Sequence, residues 1–302
     1  MVFTIGVGVG ANLPLPRPGS TTRMTASPET VTLPATDGYA LAGSLFLPAG
    51  AVERVVLVSP ATGVKRRLYD AFARHLAERG MAALTWDWRG IGGSRPERLR
   101  GFPATMTDWA RKDLAGAVAW AEERFPGATP LAVGHSFGGQ AIGLAPNADR
   151  LGGVVTIAAQ SGWWGHWPRR TRLGYAALWH LVAPTVARTV GYVPGWMGIG
   201  EDLPGGVARQ WAAWCRRREY LGDWSGHAAF RAPILSLSFS DDAYAPRAAV
   251  DALLDRYASA PRERVHVTPE EAGAARIGHF GFFRAGVVPA LWSRASDWLL
   301  AR

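Results

Sequence analysis

"AVGHSFGGQA", residues 132–141, decides how the rest of this 302-residue chain is read. Ser136 stands between glycines at 134 and 138, the apolar run PLAV precedes it, and a helix-like GGQAIGLA follows. Strand, sharp turn and helix in that order is the setting in which G-x-S-x-G holds a hydroxyl at the tip of a strand. Glycine on both sides removes the side chains that would collide in so tight a turn. In this context Ser136 is read as a nucleophile. Alone, the same residues would be an ordinary glycine-rich turn, so the rest of the chain must supply a base, an acid and donors for an oxyanion.

Working outward, short apolar runs alternate with helical segments, as in an α/β sheet with crossover helices. Strands are expected at Glu29 to Leu33, Ala40 to Leu47, Arg54 to Ser59, Met81 to Trp86, Pro130 to Gly134, Gly153 to Ala158, Ile234 to Phe239 and Arg264 to Thr268. The third to eighth are almost continuously apolar, as strands covered on both faces should be. Helices are expected over Leu68 to Gly80, Thr107 to Phe125, Pro246 to Ser259 and Arg284 to Leu300. Between about Gly162 and Phe230 the alternation stops; this stretch carries eight of the fourteen tryptophans and no β pattern. It reads as a helical cap inserted after strand 6, at the sheet edge where α/β folds bind ligands. The resulting division is a loose Pro/Gly-rich leader over 1–23, a core over 24–161, the cap over 162–230 and the rest of the core over 231–302.

Given this frame, the base is expected last in chain order, after the final strand. His279 in RIGHFGFF stands there. Packing or solvated roles suit His75, His135 and His266, and His166, His180 and His227 in the cap are read as structural. The acid is expected after the seventh strand, where SDDAYAP offers Asp241 and Asp242. Neighbouring side chains in extended chain point to opposite faces, so one of the pair reaches His279. Asp242 is preferred because Pro246 sits where the next helix would start; Asp241 is left to solvent or a turn hydrogen bond. For the oxyanion the donors would be the backbone amides of Phe137, directly after the serine, and of Ala61, in the loop after the third strand. In the cap, Trp163, Trp164 and Trp167 follow the sixth strand most closely and are expected to overhang Ser136, with Tyr244 also near substrate. Trp211 and Trp214 have helical spacing and read as packing.

Composition narrows the alternatives. Nearly half the residues are apolar, enough for a sizeable core. Net charge is +9, but the excess is scattered, with short runs only at 168–172 and 215–219, so no nucleic-acid partner is expected. One cysteine, Cys215, excludes an internal disulfide, and no cluster has zinc-ligand spacing, so neither metal nor cofactor is expected. No apolar run is long enough for stable membrane insertion, and the N-terminus lacks the basic residues of a secretory signal; a cytoplasmic setting fits these features. Oligomeric state is open, a homodimer included.

Taken in order, LPATDGYALAGSLFLP, VVLVSPATGVKRRLYDAFARHLAERGMAALTWDWRGIGGS, GHSFGG, SDDAYAP and IGHFGFF resemble the α/β-hydrolase fold superfamily, in its serine aminopeptidase and monoglyceride-lipase-like branch. The likeness runs from about Glu29 to Leu300. Within the cap, GYVPGWMGIGEDLPGGVARQWAAWCRRREYL is similar to a group of bacterial α/β-hydrolases of unassigned substrate. The resemblance implies a mostly parallel eight-stranded sheet flanked by helices, and a serine hydrolase with Ser136, His279 and Asp242 as triad. The substrate is argued from the tryptophans of the cap instead: a small hydrophobic molecule, an ester of an acyl or aromatic group, with thioester and amide left open. The rival is a non-hydrolytic protein of this fold, a lyase, a cyclase or a ligand-binding module. Two features depart from the branch: Ser59-Pro60 stands where many relatives have His-Gly, and the cap matches no lid of known specificity. Asp87 and Arg89 of DWRGIGGS are read as loop-stabilising ion-pair partners.

Overall fold

The structure, a computed structural model, describes residues 27–198 and 200–302; the leader expected over 1–23 lies outside the described residues. Its elements in chain order are β1 (Glu29–Pro34), β2 (Ala40–Phe46), β3 (Arg54–Ser59), α1 (Asp70–Glu78), β4 (Ala82–Trp86), α2 (Met106–Asp108), α3 (Ala115–Arg124), β5 (Thr129–His135), α4 (Phe137–Ala141) and β6 (Val154–Ile157). There follow α5 (Arg169–Ala177), α6 (Ala183–Thr189), β7 (Tyr192–Val193), β8 (Leu203–Pro204), α7 (Gly205–Cys215) and α8 (Ser225–Ala229), then β9 (Ile234–Phe239), α9 (Arg247–Leu254), β10 (Arg262–Val267) and α10 (Pro289–Leu300). Eight strands form one sheet in the order β1-β2-β4-β3-β5-β6-β9-β10. β2 pairs antiparallel with β1 and β4. The remaining pairings are parallel.

Alternation along a strand sends successive side chains to opposite faces, and β3 shows what this does in a doubly covered sheet. Val55 and Leu57 join one core with Ala117 and Val118 of α3. Val56 and Val58 join the other with Phe72 and Leu76 of α1 and Leu299 of α10. All eight expected strands occur, with ends displaced by two residues at most.

The helices differ from expectation where local chemistry outweighs periodicity. The second begins at Met106 because Thr105 and Asp108 bond each other's amides reciprocally, at 3.1 and 2.9 Å, in a capping box. It then widens into a π turn over Trp109–Leu114. That turn carries buried Asp113, which holds Arg89 Nε at 2.6 Å while Asp37 takes the other end of the guanidinium. Asp87 pairs with Arg66 and accepts the Gly93 amide at 2.9 Å, so both residues of DWRGIGGS read as ion-paired are so, but each to partners outside the segment and not to each other. The last helix starts at Pro289 rather than Arg284: Gly286 takes a left-handed φ of 78°, and the proline fixes the first helical turn.

Between β6 and β9 the chain leaves the sheet. α5 runs through a π turn over Leu178–Val182 into α6, and α7 and α8 follow. Contrary to the reading that no strand occurs here, β7 and β8 form a two-rung antiparallel ladder, Tyr192 opposite Pro204 and Val193 opposite Leu203. Strands of two residues are too short to show a period. The bonds that tie the segment to the core include those of the Glu201 amide to the Gly63 carbonyl at 2.8 Å and of Trp167 Nε1 to the Ala243 carbonyl at 2.9 Å.

Another anchor makes stability depend on pH. His227 of α8 donates Nε2–H to the Gln140 carbonyl at 3.0 Å, while its buried Nδ1 has no partner among the described residues. Burial pushes its pKa down from 6.5 to about 4, and burial pushes His135 down as well. Below pH 6.5 the unfolded chain gains protons that the fold refuses, so stability present at neutral pH is lost as pH falls toward 4. Denaturant titrations should show about 2 kcal/mol lost from His227 between pH 7 and 5. His227→Asn should flatten that slope by about one proton; an equally steep variant would place the effect elsewhere.

Candidate active site

β5 is buried along nearly its whole length and delivers Ser136 to the start of α4. The serine has φ 51° and ψ −118°, a conformation L-residues avoid. The elbow glycines serve a different purpose, since none of the three has a left-handed φ. A Cβ on Gly134 would stand 2.4 Å from Gly139 Cα, and one on Gly138 would stand 2.0 Å from the Ser59 carbonyl. α4 therefore packs backbone to backbone on the loop after β3.

At the ends of β9 and β10 the two acidic candidates separate. Asp242 Oδ2 accepts from His279 Nδ1 at 2.8 Å, and its Oδ1 accepts the amides of Tyr244 and Ala245 at 2.8 and 3.0 Å. A carboxylate can only accept, so Nδ1 carries the hydrogen and Nε2 is left as the basic nitrogen. Asp241 faces the other way and is not simply a solvated residue: its two oxygens accept the amides of Ile277 and Gly278, each at 2.9 Å, clamping the loop that carries His279. Ser136, Asp242 and His279 are all nine-tenths buried or more. Ser136 and His279 line one cavity of about 340 Å³. In this arrangement the serine hydroxyl faces Gln160 Oε1 at 3.5 Å; among the described residues no hydrogen bond joins it to His279.

The Ala61 reading needs correction. Its amide donates to the buried Tyr69 hydroxyl at 2.8 Å. That hydroxyl lies 2.9 Å from His135 Nδ1, and His135 Nε2 lies 2.9 Å from the His279 carbonyl. Because a carbonyl only accepts, His135 must carry its hydrogen on Nε2, so Tyr69 donates to Nδ1 and has its oxygen free for Ala61. Ala61 lines the cavity, but an amide so engaged is not free to receive an oxyanion. The next residue, Thr62, lines the cavity and its amide has no partner among the described residues. Phe137 opens α4, so no carbonyl lies one turn behind to take its N–H.

The residues expected near substrate divide. Trp167 and Tyr244 line the cavity, and the Tyr244 ring lies 5.4 Å from that of His279. Trp163 and Trp164 do not line it. Trp163 packs under Arg218 and edge-on to His166, and Trp164 packs against His180. A 3-10 turn over Trp164–His166 sets the two apart from Trp167, the one of the three that lines the cavity. Their places in the wall are taken by Trp179 and Trp211, the second of which had read as packing alone. Cys215 also reaches the wall, where burial pushes its thiol pKa well up and keeps it neutral. Among the described residues no group of three or more metal-ligating side chains comes together, and no helix is long and apolar enough to cross a membrane.

The family described as serine aminopeptidase S33 matches residues 50–196. In solved structures the fold recurs over almost the whole chain. DcsB, in complex with its substrate analogue, superposes with a TM-score of 0.67 at 15% identity, covering 91% of this chain and 99% of that one. The fold of the chain is the α/β-hydrolase fold. A monoglyceride lipase variant from Saccharomyces cerevisiae, bound to a substrate analogue, gives 0.64 at 14% identity over 94% of this chain and 97% of its own. Est1E from Butyrivibrio proteoclasticus, with ferulic acid bound, gives 0.60 at 18% identity over 90% and 98%. A 31.7 kDa protein from the traX-finO intergenic region of Escherichia coli is 30% identical over 126 residues, 41% of this chain and 38% of that protein's length. The S33 match includes the elbow of this α/β-hydrolase-fold chain but ends before Asp242 and His279.

Proposed function

We propose that the protein is a serine hydrolase that cleaves esters of hydrophobic acyl or aromatic groups. The observation that carries this reading is the single direction of the Asp242–His279 hydrogen bond, which leaves Nε2 as the basic nitrogen of a residue that lines the same cavity as the strained Ser136. On this reading His279 takes the proton of Ser136 as Oγ attacks the carbonyl, and the oxyanion is received by the amides of Phe137 and Thr62. Asp242 holds the tautomer and stabilises the imidazolium. His279 then protonates the leaving alcohol, and water releases the acyl group by the same steps in reverse order. Trp167, Trp179, Trp211 and Leu178 supply an apolar wall, which favours an uncharged substrate over a peptide.

A fluorophosphonate probe followed by peptide mass spectrometry tests the nucleophile. A single adduct on Ser136 is expected, and a folded protein without it would leave the non-hydrolytic rival in possession. With p-nitrophenyl esters, kcat/KM should rise from acetate to medium-chain acyl groups, by up to about tenfold for each pair of added methylenes. A flat or falling series would remove the hydrophobic-acyl assignment.

A further inference from the structure

Beyond Ser136, two other non-glycine residues among those described have a left-handed φ, Ala158 at 50° and Tyr220 at 51°. Both lead to the serine's neighbour. Ala158 turns the chain at the end of β6 and brings Gln160 into the cavity. Tyr220 donates its hydroxyl to Gln140 Oε1 at 2.8 Å, which points Gln140 Nε2 at Gln160 Oε1, 3.4 Å away. Gln160 Nε2 donates to the Tyr244 carbonyl at 3.2 Å. That carbonyl can only accept, so the carboxamide cannot flip, and its oxygen is held toward Ser136. Strain of this kind persists where the surroundings over-determine it.

We propose that Gln160 orients the water of the second half-reaction and so favours hydrolysis over transfer to an alcohol; this rests on the serine-hydrolase reading above. Once Ser136 is acylated it has no hydrogen to offer, and Gln160 Oε1 keeps only the long bond from Gln140. A water approaching the acyl carbon has two hydrogens and meets two acceptors, His279 Nε2 and Gln160 Oε1. The new C–O bond forms as His279 takes the first hydrogen. Collapse of the tetrahedral intermediate breaks the C–Oγ bond, His279 returns that proton to Ser136, and the second hydrogen leaves with the carboxylic acid. An alcohol has one hydroxyl hydrogen, which His279 must take, so its carbon would be set against a carboxamide oxygen left with only the long bond from Gln140.

Gln160→Met keeps the volume and removes the acceptor. In stopped-flow hydrolysis of p-nitrophenyl butyrate it should release a burst of one nitrophenolate per site, with acylation within about threefold of the parent and turnover slowed ~10- to 100-fold. With methanol present, the ratio of methyl butyrate to butyric acid should rise several-fold. Tyr220→Phe, a gentler change two hydrogen bonds from Gln160, should shift that ratio in the same direction by less. Acylation and turnover falling together, or an unchanged product ratio in both variants, overturns the proposal. If the parent protein takes no fluorophosphonate label, the serine-hydrolase reading itself falls; a labelled parent with an unchanged product ratio sinks the water-orienting role alone.

Discussion

Ser136→Ala should lower ester hydrolysis by about 10⁵-fold or more and abolish fluorophosphonate labelling, leaving only what the oxyanion donors and substrate binding contribute. The cavity should remain, so ester binding, followed by displacement of an apolar fluorophore, should change little. The same residue offers a stability test. At φ 51° a side chain is unfavourable, and alanine inherits that cost. Ser136→Gly should be equally inactive but more resistant to denaturant, by about 1 kcal/mol after the entropy glycine adds to the unfolded chain. An alanine variant retaining a tenth of the activity would place the nucleophile elsewhere.

Asp242→Asn should cost about 10⁴-fold in kcat, because asparagine can turn its amide toward Nδ1 and stabilise the wrong tautomer of His279. Asp241→Asn is the comparison. It leaves one acceptor for the Ile277 and Gly278 amides and opposes a donor to the other, loosening the histidine loop without touching the ring. A loss of about tenfold or less is expected there. Measuring both variants at saturating and limiting ester separates them, and a reversed order would make Asp241 the acid.

The strands, the elbow and the acid and histidine loops are legible in the sequence because each depends on neighbours along the chain. Apolar runs mark strands, and the glycines around Ser136 mark the approach of α4 to the loop after β3. Alternation in extended chain says that one of Asp241 and Asp242 reaches His279, and the spacing to Pro246, which caps α9, selects Asp242; both are local rules. Trp163, Trp164 and Ala61 were misread because their surroundings are set at a distance. One short 3-10 turn sets two tryptophans apart from Trp167 on the wall, and a hydroxyl eight residues on, at Tyr69, takes the Ala61 amide. Gln160 left no sequence signal at all. Its place depends on a left-handed alanine two residues before it and on a carbonyl that belongs to Tyr244.

The chain of bonds from Ala61 through Tyr69 and His135 to His279 runs in fixed directions and ends on a backbone carbonyl. A carbonyl has nowhere to send a hydrogen, and burial keeps His135 uncharged. The relay is therefore no proton wire. It works as a brace of fixed length between two loops, and what it transmits is displacement: a shift of the Ala61 loop moves the backbone of His279 by way of two rings.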